Sequence, residues 1–265
     1  MRTVFGPIDS WQLGKALGVD VAASDRRHCS FDCTYCPFGK HTHRAVKRRW
    51  FVGMSELQAQ LERAEPEDAV CVVFTGKGEP TLASNLGRAM DLARSLLGLP
   101  VAVLTNSSLM PRDDVRSDLA KADLVVAKLD ASDDELLRAI NRPFVHYSQA
   151  EIFYGLREFR RTFKGRLALH MTFVEANKSV ARTLAILARE LSPDEVQLNA
   201  PLPCSAAPLS AADMEGIVRQ FDGLNVVRPG DGTSWTLAAA GLVQAGTFGV
   251  NAEVTPQALP TGHGS

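Results

Sequence analysis

Short apolar runs alternate along the chain with segments in which apolar and polar residues share a helical repeat. The run V-C-V-V-F-T at residues 70–75 is of the first kind, and its unbroken apolar character suits a strand buried on both faces. Residues 83–97 are of the second kind and predict a helix with one buried face. Strands and helices that alternate in this way predict β–α units and a parallel sheet.

Six such units predict an α/β fold, an open partial (βα)6 TIM-like barrel rather than a closed barrel of eight units. The predicted strands are residues 18–23, 70–75, 101–105, 124–129, 167–174 and 195–199, and the predicted helices are 54–64, 83–97, 112–120, 133–140, 147–163, 179–191 and 211–221. Active sites in such folds are built from the loops at the carboxyl ends of the strands. Those loops begin near Cys29, Gly76, Asn106, Asp130, Asn177 and Asn199.

Composition narrows the function classes. The chain has 265 residues, 45% of them hydrophobic, and a net charge of −1. That length favours one domain with a substantial core, and the charge gives no global field for nucleic acid. We find no signal peptide and no apolar stretch near the roughly 20 residues of a membrane span. We therefore expect a soluble, cytoplasmic protein that does not contact a membrane.

Three cysteines lie close together early in the chain, in the run H-C-S-F-D-C-T-Y-C-P-F-G. Cys29, Cys33 and Cys36 have the spacing C-x3-C-x2-C, and three thiolates this close can bind one soft metal centre. They would leave a four-iron cluster one protein ligand short. Such a cluster keeps an iron open for another molecule, which predicts reactivity rather than a purely structural role.

Other uses of the cysteines remain open. A structural zinc site needs a fourth ligand, which His28, His41 or His43 could supply. A disulfide framework is disfavoured, because five cysteines is an odd number and the chain is long. Cys71 lies in an apolar run and is expected to be a buried, inert thiol, and Cys204 is expected to be unligated.

The cysteine triplet after a first strand resembles the radical S-adenosylmethionine (SAM) enzymes, whose partial barrel has this six-unit layout. G-K-G-E-P-T-L at 76–82 resembles their glycine–glutamate motif: glycines let backbone approach a ligand, and a carboxylate can hold an ammonium group. L-G-x-x-L-G-V-D at 13–20, L-T-N-S-S-L at 104–109, K-L-D-A at 128–131, I-N-R-P-F at 140–144 and V-Q-L-N-A-P at 196–201 extend the match. Together these segments resemble the branch that contains the archaeal-type synthase of the wyosine base in transfer RNA.

The resemblance implies a mechanism and a domain layout. Cys29, Cys33 and Cys36 would bind a [4Fe–4S] cluster whose fourth iron takes SAM, and reductive cleavage would give a 5′-deoxyadenosyl radical that removes hydrogen from an unidentified substrate. The match runs from about residue 4 to residue 221. We expect a radical SAM core over residues 1–228 with a cluster loop at 24–40, and a partly flexible extension over 229–265, where the pattern dissolves into Gly, Ala and Thr.

The resemblance also suggests cofactor contacts. Glu79 would bind the methionyl ammonium, Asn106 and Asp130 the ribose, and Asn199 and Tyr35 the adenine. The full set of predicted contacts is Tyr35, Gly76, Gly78, Glu79, Pro80, Asn106, Ser107, Asp130 and Asn199. Asn106 and Asp130 are equally well explained as ordinary turn or cap residues.

Several residues could contact the substrate, whose class the sequence leaves open. Lys128, His170 and Thr172 are candidates to face the barrel interior, and Trp11 and Gln12 stand where relatives usually have two arginines. The substrate is open between a small molecule, a peptide and tRNA, and the electron donor would be reduced flavodoxin or ferredoxin. A non-enzymatic metal or electron-transfer module is the remaining alternative.

Basic residues crowd the segment that contains the cysteine loop, with two aromatic residues beside them. They are Arg26, Arg27, Lys40, Arg44, Lys47, Arg48 and Arg49, next to Trp50 and Phe51. This composition fits a phosphate-bearing or nucleic-acid substrate, an acidic redox partner or a solvated surface.

Overall fold

One eight-stranded sheet organises the protein, with its strands in chain order. The computed structural model describes residues 1–40, 47–145, 147–201 and 207–231. The strands are β1 (Val4–Ser10), β2 (Gly14–Val19), β3 (Cys71–Phe74), β4 (Val101–Thr105), β5 (Leu124–Lys128), β6 (Arg166–Thr172), β7 (Glu195–Asn199) and β8 (Val226–Val227). Strand β1 runs antiparallel to β2, and all the other neighbouring strands are parallel.

Helices follow the parallel strands. They are α1 (Met54–Glu62), α2 (Leu86–Leu97), α3 (Asp113–Leu119), α4 (Asp134–Leu136), α5 (Gln149–Thr162), α6 (Ala181–Leu191) and α7 (Ala211–Val218). The six parallel strands β2 to β7 with their helices confirm the predicted partial barrel. None of the described helices is both long and apolar enough to cross a membrane.

The first predicted strand was placed four residues too late, at 18–23. Strand β2 covers Gly14–Val19 because Ala16 to Val19 pair in register with Cys71 to Phe74 of β3. The chain then leaves the sheet at Asp20, whose carboxylate accepts the backbone N–H of Ala22. Strand β1 was missed, since most of its residues are partly exposed and Pro7 interrupts its pattern.

Two apolar layers lie on opposite faces of the sheet, since alternate side chains of a strand point to opposite sides. The larger layer packs the sheet against the helices, and includes Phe74, Val103 and Leu169. The inner layer fills part of the barrel with smaller side chains. It contains Leu13, Ala16, Cys71, Val73, Ala102, Leu124, Val126 and Ala168. Cys71 is therefore a buried thiol, as expected.

One predicted helix has an unusual form. The segment predicted as a helix at 133–140 is the short α4 followed by a π-helical turn over Leu137–Asn141. Arg142, which ends the turn, has a φ of 48°, in the left-handed region. The predicted extension at 229–265 lies outside the described residues, except for residues 229–231.

Candidate active site

A cavity of about 330 Å³ opens among the carboxyl ends of the parallel strands. All three clustered cysteines line it, together with the glycine–glutamate segment at residues 76–79. Leu104 and Val126 contribute apolar wall, and Gln12, Lys128 and His170 contribute polar groups. The fold therefore gathers several of the predicted site residues around a single space.

Each cysteine sulfur accepts a hydrogen bond from a different part of the chain. Asn106 Nδ2 lies 3.5 Å from Cys29 Sγ, and Asn141 Nδ2 lies 3.4 Å from Cys33 Sγ. Arg27 Nη1 lies 3.4 Å from Cys36 Sγ. Hydrogen bonds to sulfur favour the charged thiolate, which is the form that binds metal.

Burial opposes that charge while the thiols carry no metal. It raises the pKa of Cys29 to about 12, with a further contribution from the nearby Glu79 carboxylate. Burial likewise raises the pKa of Cys33 to about 11. Both thiols are thus protonated at neutral pH, and metal binding must displace their protons.

The residues present fit an iron–sulfur group. In the part of the chain that the structure describes, no trio of His, Cys, Asp or Glu side chains is arranged to hold one metal ion. Three thiols that share a cavity wall suit a polynuclear group, in which each sulfur binds its own iron. His41 and His43, considered above as zinc ligands, and Cys204, expected to be unligated, lie outside the described residues.

Glu79 is buried, with 2% of its surface exposed, and is held by several donors. Its Oε1 accepts from the backbone N–H and hydroxyl of Thr81 and from the hydroxyl of Thr105. Its Oε2 accepts from the backbone N–H of Asn106 at 2.7 Å. Burial raises the pKa of Glu79, and these hydrogen bonds oppose the rise. A carboxylate oxygen has two lone pairs, so Oε2 keeps capacity for a further donor.

The two predicted glycines allow close contacts. A Cβ at Gly78 would lie 1.8 Å from the carbonyl oxygen of His28, and one at Gly76 would lie 2.1 Å from the carboxyl carbon of Asp20. Only glycine lets the segment lie this close to the cysteine loop. Pro80 then begins a 3₁₀ turn, and the Glu79 side chain caps it by accepting from Thr81 N.

Asn106 lines the cavity, but its side chain is already engaged. Its amide donates to Ser30 Oγ at 2.9 Å and reaches Cys29 Sγ. Ser107 is fully buried at a φ of 68°, and its hydroxyl has no partner among the described residues. Ser107 and Asn199 are not among the described residues that line the cavity, and Asn199 is half-buried at the end of β7.

Asp130 lies behind Tyr35, away from the cavity wall. Its carboxylate accepts from the Tyr35 hydroxyl, from Asn141 Nδ2 at 2.9 Å and from Thr172 N at 2.8 Å. Tyr35 lines the cavity, and the Lys128 ammonium lies 4.6 Å from the centre of its ring. Asp130 therefore holds Tyr35 and the end of β6 in place.

A polar row inside the barrel was only partly predicted. Lys128, His170 and Gln197 are cross-strand neighbours on β5, β6 and β7. Gln12 Nε2 lies 2.6 Å from His170 Nδ1 and donates to Gln197 Oε1 at 2.7 Å. Burial, followed by the Lys128 charge, lowers the pKa of His170 to about 3, so its ring is neutral. Strand periodicity predicts that His170 faces the barrel interior, whereas nothing in the sequence predicts that Gln12 contacts His170.

Arg48 does not belong to a free basic surface. Its guanidinium donates to Thr81 O at 2.8 Å and Ala83 O at 3.0 Å, and it pairs with Asp114 and Asp118 of α3. The Arg49 guanidinium lies 4.7 Å from the centre of the Phe51 ring, and Arg44 lies outside the described residues. Arg48 is thus part of the internal structure.

Comparison with known proteins places the chain among relatives. Residues 26–184 match the family model of the Radical SAM superfamily. A UPF0026 protein of Methanocaldococcus jannaschii is 34% identical over 210 residues, which cover 76% of this chain and 64% of the relative. A UPF0026 protein of Synechocystis sp. is 33% identical over 199 residues, 75% of each chain. The chain thus spans less than two thirds of the archaeal relative.

Solved structures share the fold at low sequence identity. Streptococcus suis SuiB bound to S-adenosylmethionine has a TM-score of 0.59 at 15% identity, covering 77% of this chain and 49% of SuiB. Native anSMEcpe with bound AdoMet has a TM-score of 0.61 at 17% identity, covering 81% of this chain and 63% of that protein. A radical SAM methyltransferase from Sphaerobacter thermophilus has a TM-score of 0.57 at 19% identity, covering 80% and 66%.

Proposed function

The chain belongs to the radical SAM superfamily, and we propose that it is an iron–sulfur enzyme that cleaves SAM reductively and abstracts hydrogen from a substrate. Cys29, Cys33 and Cys36 would hold a [4Fe–4S] cluster. When bound, the cluster supplies the electron that splits the sulfonium and yields a 5′-deoxyadenosyl radical. The protein's own tasks are to bind SAM, to orient it and to exclude water.

One observation carries the proposal: Asn106 connects the glutamate and the cysteine wall of the same cavity. Its backbone N–H binds Glu79 Oε2, while its side-chain amide reaches Cys29 Sγ. Glu79 would hold the methionyl ammonium, because its Oε2 keeps acceptor capacity and the residue lines the cavity. A structural metal site alone has no need of this buried carboxylate.

The other residues proposed to contact SAM differ in whether they line the cavity. Asn106 and Tyr35 line the cavity, which supports their proposed contacts with the ribose and the adenine. Asp130 would act through Tyr35, whose hydroxyl donates a hydrogen bond to the Asp130 carboxylate. Ser107 and Asn199 would need to move to reach a ligand in this cavity, since both are outside the described lining.

The electron donor and the class of substrate are proposed from the superfamily. Reduced flavodoxin or ferredoxin would deliver the electron in the cytoplasm. SuiB has been solved with its precursor peptide and anSMEcpe with a peptide, which keeps a peptide among the candidate substrates beside a small molecule. The oxidoreductase or lyase outcome depends on that substrate. A tRNA-modifying role remains an alternative on the sequence resemblance, and tRNA binding that weakens with salt would support it.

The test is cleavage of SAM by protein reconstituted anaerobically with iron and sulfide. The reduced wild type should release 5′-deoxyadenosine, detected by chromatography, and Cys33→Ala should not. Glu79→Gln should lower cleavage at limiting SAM about tenfold or more, because the charge that would pair with the ammonium is lost and an amide NH₂ cannot accept from the donors around the side chain.

Glu62→Gln, an exposed change on α1, is the control and should match the wild type. A cluster-replete wild type that leaves SAM intact would refute the proposed function. Cleavage by Glu79→Gln equal to that of the control would refute the role of Glu79.

A further inference from the structure

The segment I-N-R-P-F at 140–144 lies directly against the cysteine loop. Thr34 N donates to Ile140 O at 2.8 Å, and Asp32 N donates to Asn141 O at 3.0 Å. Phe144 N donates to Ser30 O at 3.1 Å. The segment therefore pairs, through its backbone, with residues 30–34, on both sides of Cys33.

The local backbone is shaped to present Asn141. The π-helical turn over Leu137–Asn141 ends at Arg142, whose backbone N–H returns to Leu137 O and whose φ is positive. Turns of this kind are rare and occur frequently at functional sites. Asn141 itself is 2% exposed, so its amide is committed to neighbours within the protein.

The orientation of that amide follows from chemistry. Asn141 Nδ2 donates to Asp130 Oδ2 at 2.9 Å, and a carboxylate can only accept. The nitrogen must therefore face Asp130, and the same NH₂ group lies 3.4 Å from Cys33 Sγ and 3.3 Å from the Tyr35 hydroxyl. One N–H points to the carboxylate, and the other is left for the sulfur and the hydroxyl.

We propose that Asn141 is a positioning residue that ties Cys33 to Asp130 and raises the reduction potential of the cluster. The inference rests on the proposed function, since it needs a cluster on Cys33. Reduction adds negative charge to the cluster, and a hydrogen bond to a ligand sulfur stabilises that charge. Removing the donor therefore makes the cluster harder to reduce.

Asn141 allows a cleaner test than the other two donors. Asn106 lines the cavity and its amide also donates to Ser30 Oγ, so its substitution would alter the cavity wall. Arg27 also donates to Gly39 O at 2.7 Å, so its substitution would loosen the cysteine loop. Asn141 is not among the described residues that line the cavity, and the Tyr35 hydroxyl that its amide contacts keeps its own bond to Asp130.

The experiment compares four reconstituted proteins: wild type, Asn141→Leu, Asn141→Ala and Asn85→Ala. Asn85 is an equally buried asparagine whose amide donates to Val52 O at 3.1 Å, which makes it a matched control. Iron and sulfide per chain are measured first. The midpoint potential is then measured by a redox titration followed by electron paramagnetic resonance (EPR).

Both Asn141 variants should bind iron and titrate at a more negative potential than the wild type, while Asn85→Ala should titrate with the wild type. If both Asn141 variants lose the cluster while Asn85→Ala keeps it, and the melting temperatures of the metal-free proteins are unchanged, the hydrogen bond between Asn141 and Cys33 is also supported. Loaded Asn141 variants that titrate at the wild-type potential, or equal changes in Asn85→Ala, would overturn the inference. A wild type that binds no cluster would instead refute the proposed function, and this inference with it.

Discussion

Gly78 shows how closely single residues constrain the site. Its backbone lies against His28, the residue before Cys29, and Glu79 N donates to His28 O at 2.9 Å. An added Cβ would overlap that carbonyl at 1.8 Å, and backbone atoms cannot rotate away as a side-chain tip can. The position of the first cysteine is therefore coupled to the position of the glutamate motif.

We predict that Gly78→Ala destabilises the protein by about 1–3 kcal/mol, because overpacking forces the backbone to shift. It should also reduce the iron retained after reconstitution. Gly53→Ala is the matched control, since Gly53 has a φ of −68° and nothing within 4 Å of the added carbon. Chemical denaturation measures the first effect and iron analysis the second. Equal stability of the two variants would contradict the close contact.

The structure brings some of the predicted site residues together at the cavity and leaves others away from it. The three cysteines and Glu79 could be predicted because their spacing carries their chemistry, and all four line the cavity. The surroundings of Asp130 could not be predicted. Its carboxylate is engaged by Tyr35, Asn141 and Thr172, which come from three separate segments. A polar residue after a strand gives no indication of partners so distant in the chain.

At the scale of elements, Arg48 joins the turn after the glutamate motif to helix α3. It binds two carbonyl groups of that turn and two aspartates of the helix, and 8% of its side chain is exposed. Replacing it leaves buried acceptors without a donor. The turn that carries Glu79 therefore depends on a residue that the sequence presents as part of a basic stretch.

We predict that Arg48→Leu lowers the free energy of unfolding by about 2 kcal/mol, from lost charge-assisted hydrogen bonds at a site that is only partly screened from water. Lys47 is the exposed neighbour of Arg48, and Lys47→Leu should change the free energy of unfolding by less than about 0.5 kcal/mol. Urea denaturation of both variants measures the difference. Similar stabilities of the two variants would show that Arg48 does not stabilise the turn, and Arg48 would again be a candidate to contact the substrate.

Element boundaries were predictable where burial alone sets them. Strands β4 and β7 match the predicted ranges: β4 is an apolar run, whereas β7 alternates polar and apolar residues and is buried over its first four. Strand β2 was misplaced because its limits are set by pairing with β1 and β3 rather than by its own composition. The two-residue β8 is too short to leave a pattern in the sequence.

At the scale of the whole molecule, the barrel brings together residues that are far apart in the chain. Gln12 precedes β2 and His170 lies on β6, yet their side chains are 2.6 Å apart. The six-unit layout was predictable, because alternating strands and helices have few arrangements. The closure of the barrel interior by the turn between β1 and β2 was not, since β1 itself could not be predicted.

The central claim is that a cluster held by Cys29, Cys33 and Cys36 keeps an iron free to bind SAM beside Glu79. The most direct test is the EPR spectrum of the reduced, reconstituted protein as SAM is added. The account predicts that SAM changes the cluster signal of the wild type, and that Glu79→Gln needs a higher SAM concentration for the same change. A fully loaded cluster whose signal is indifferent to SAM would contradict it.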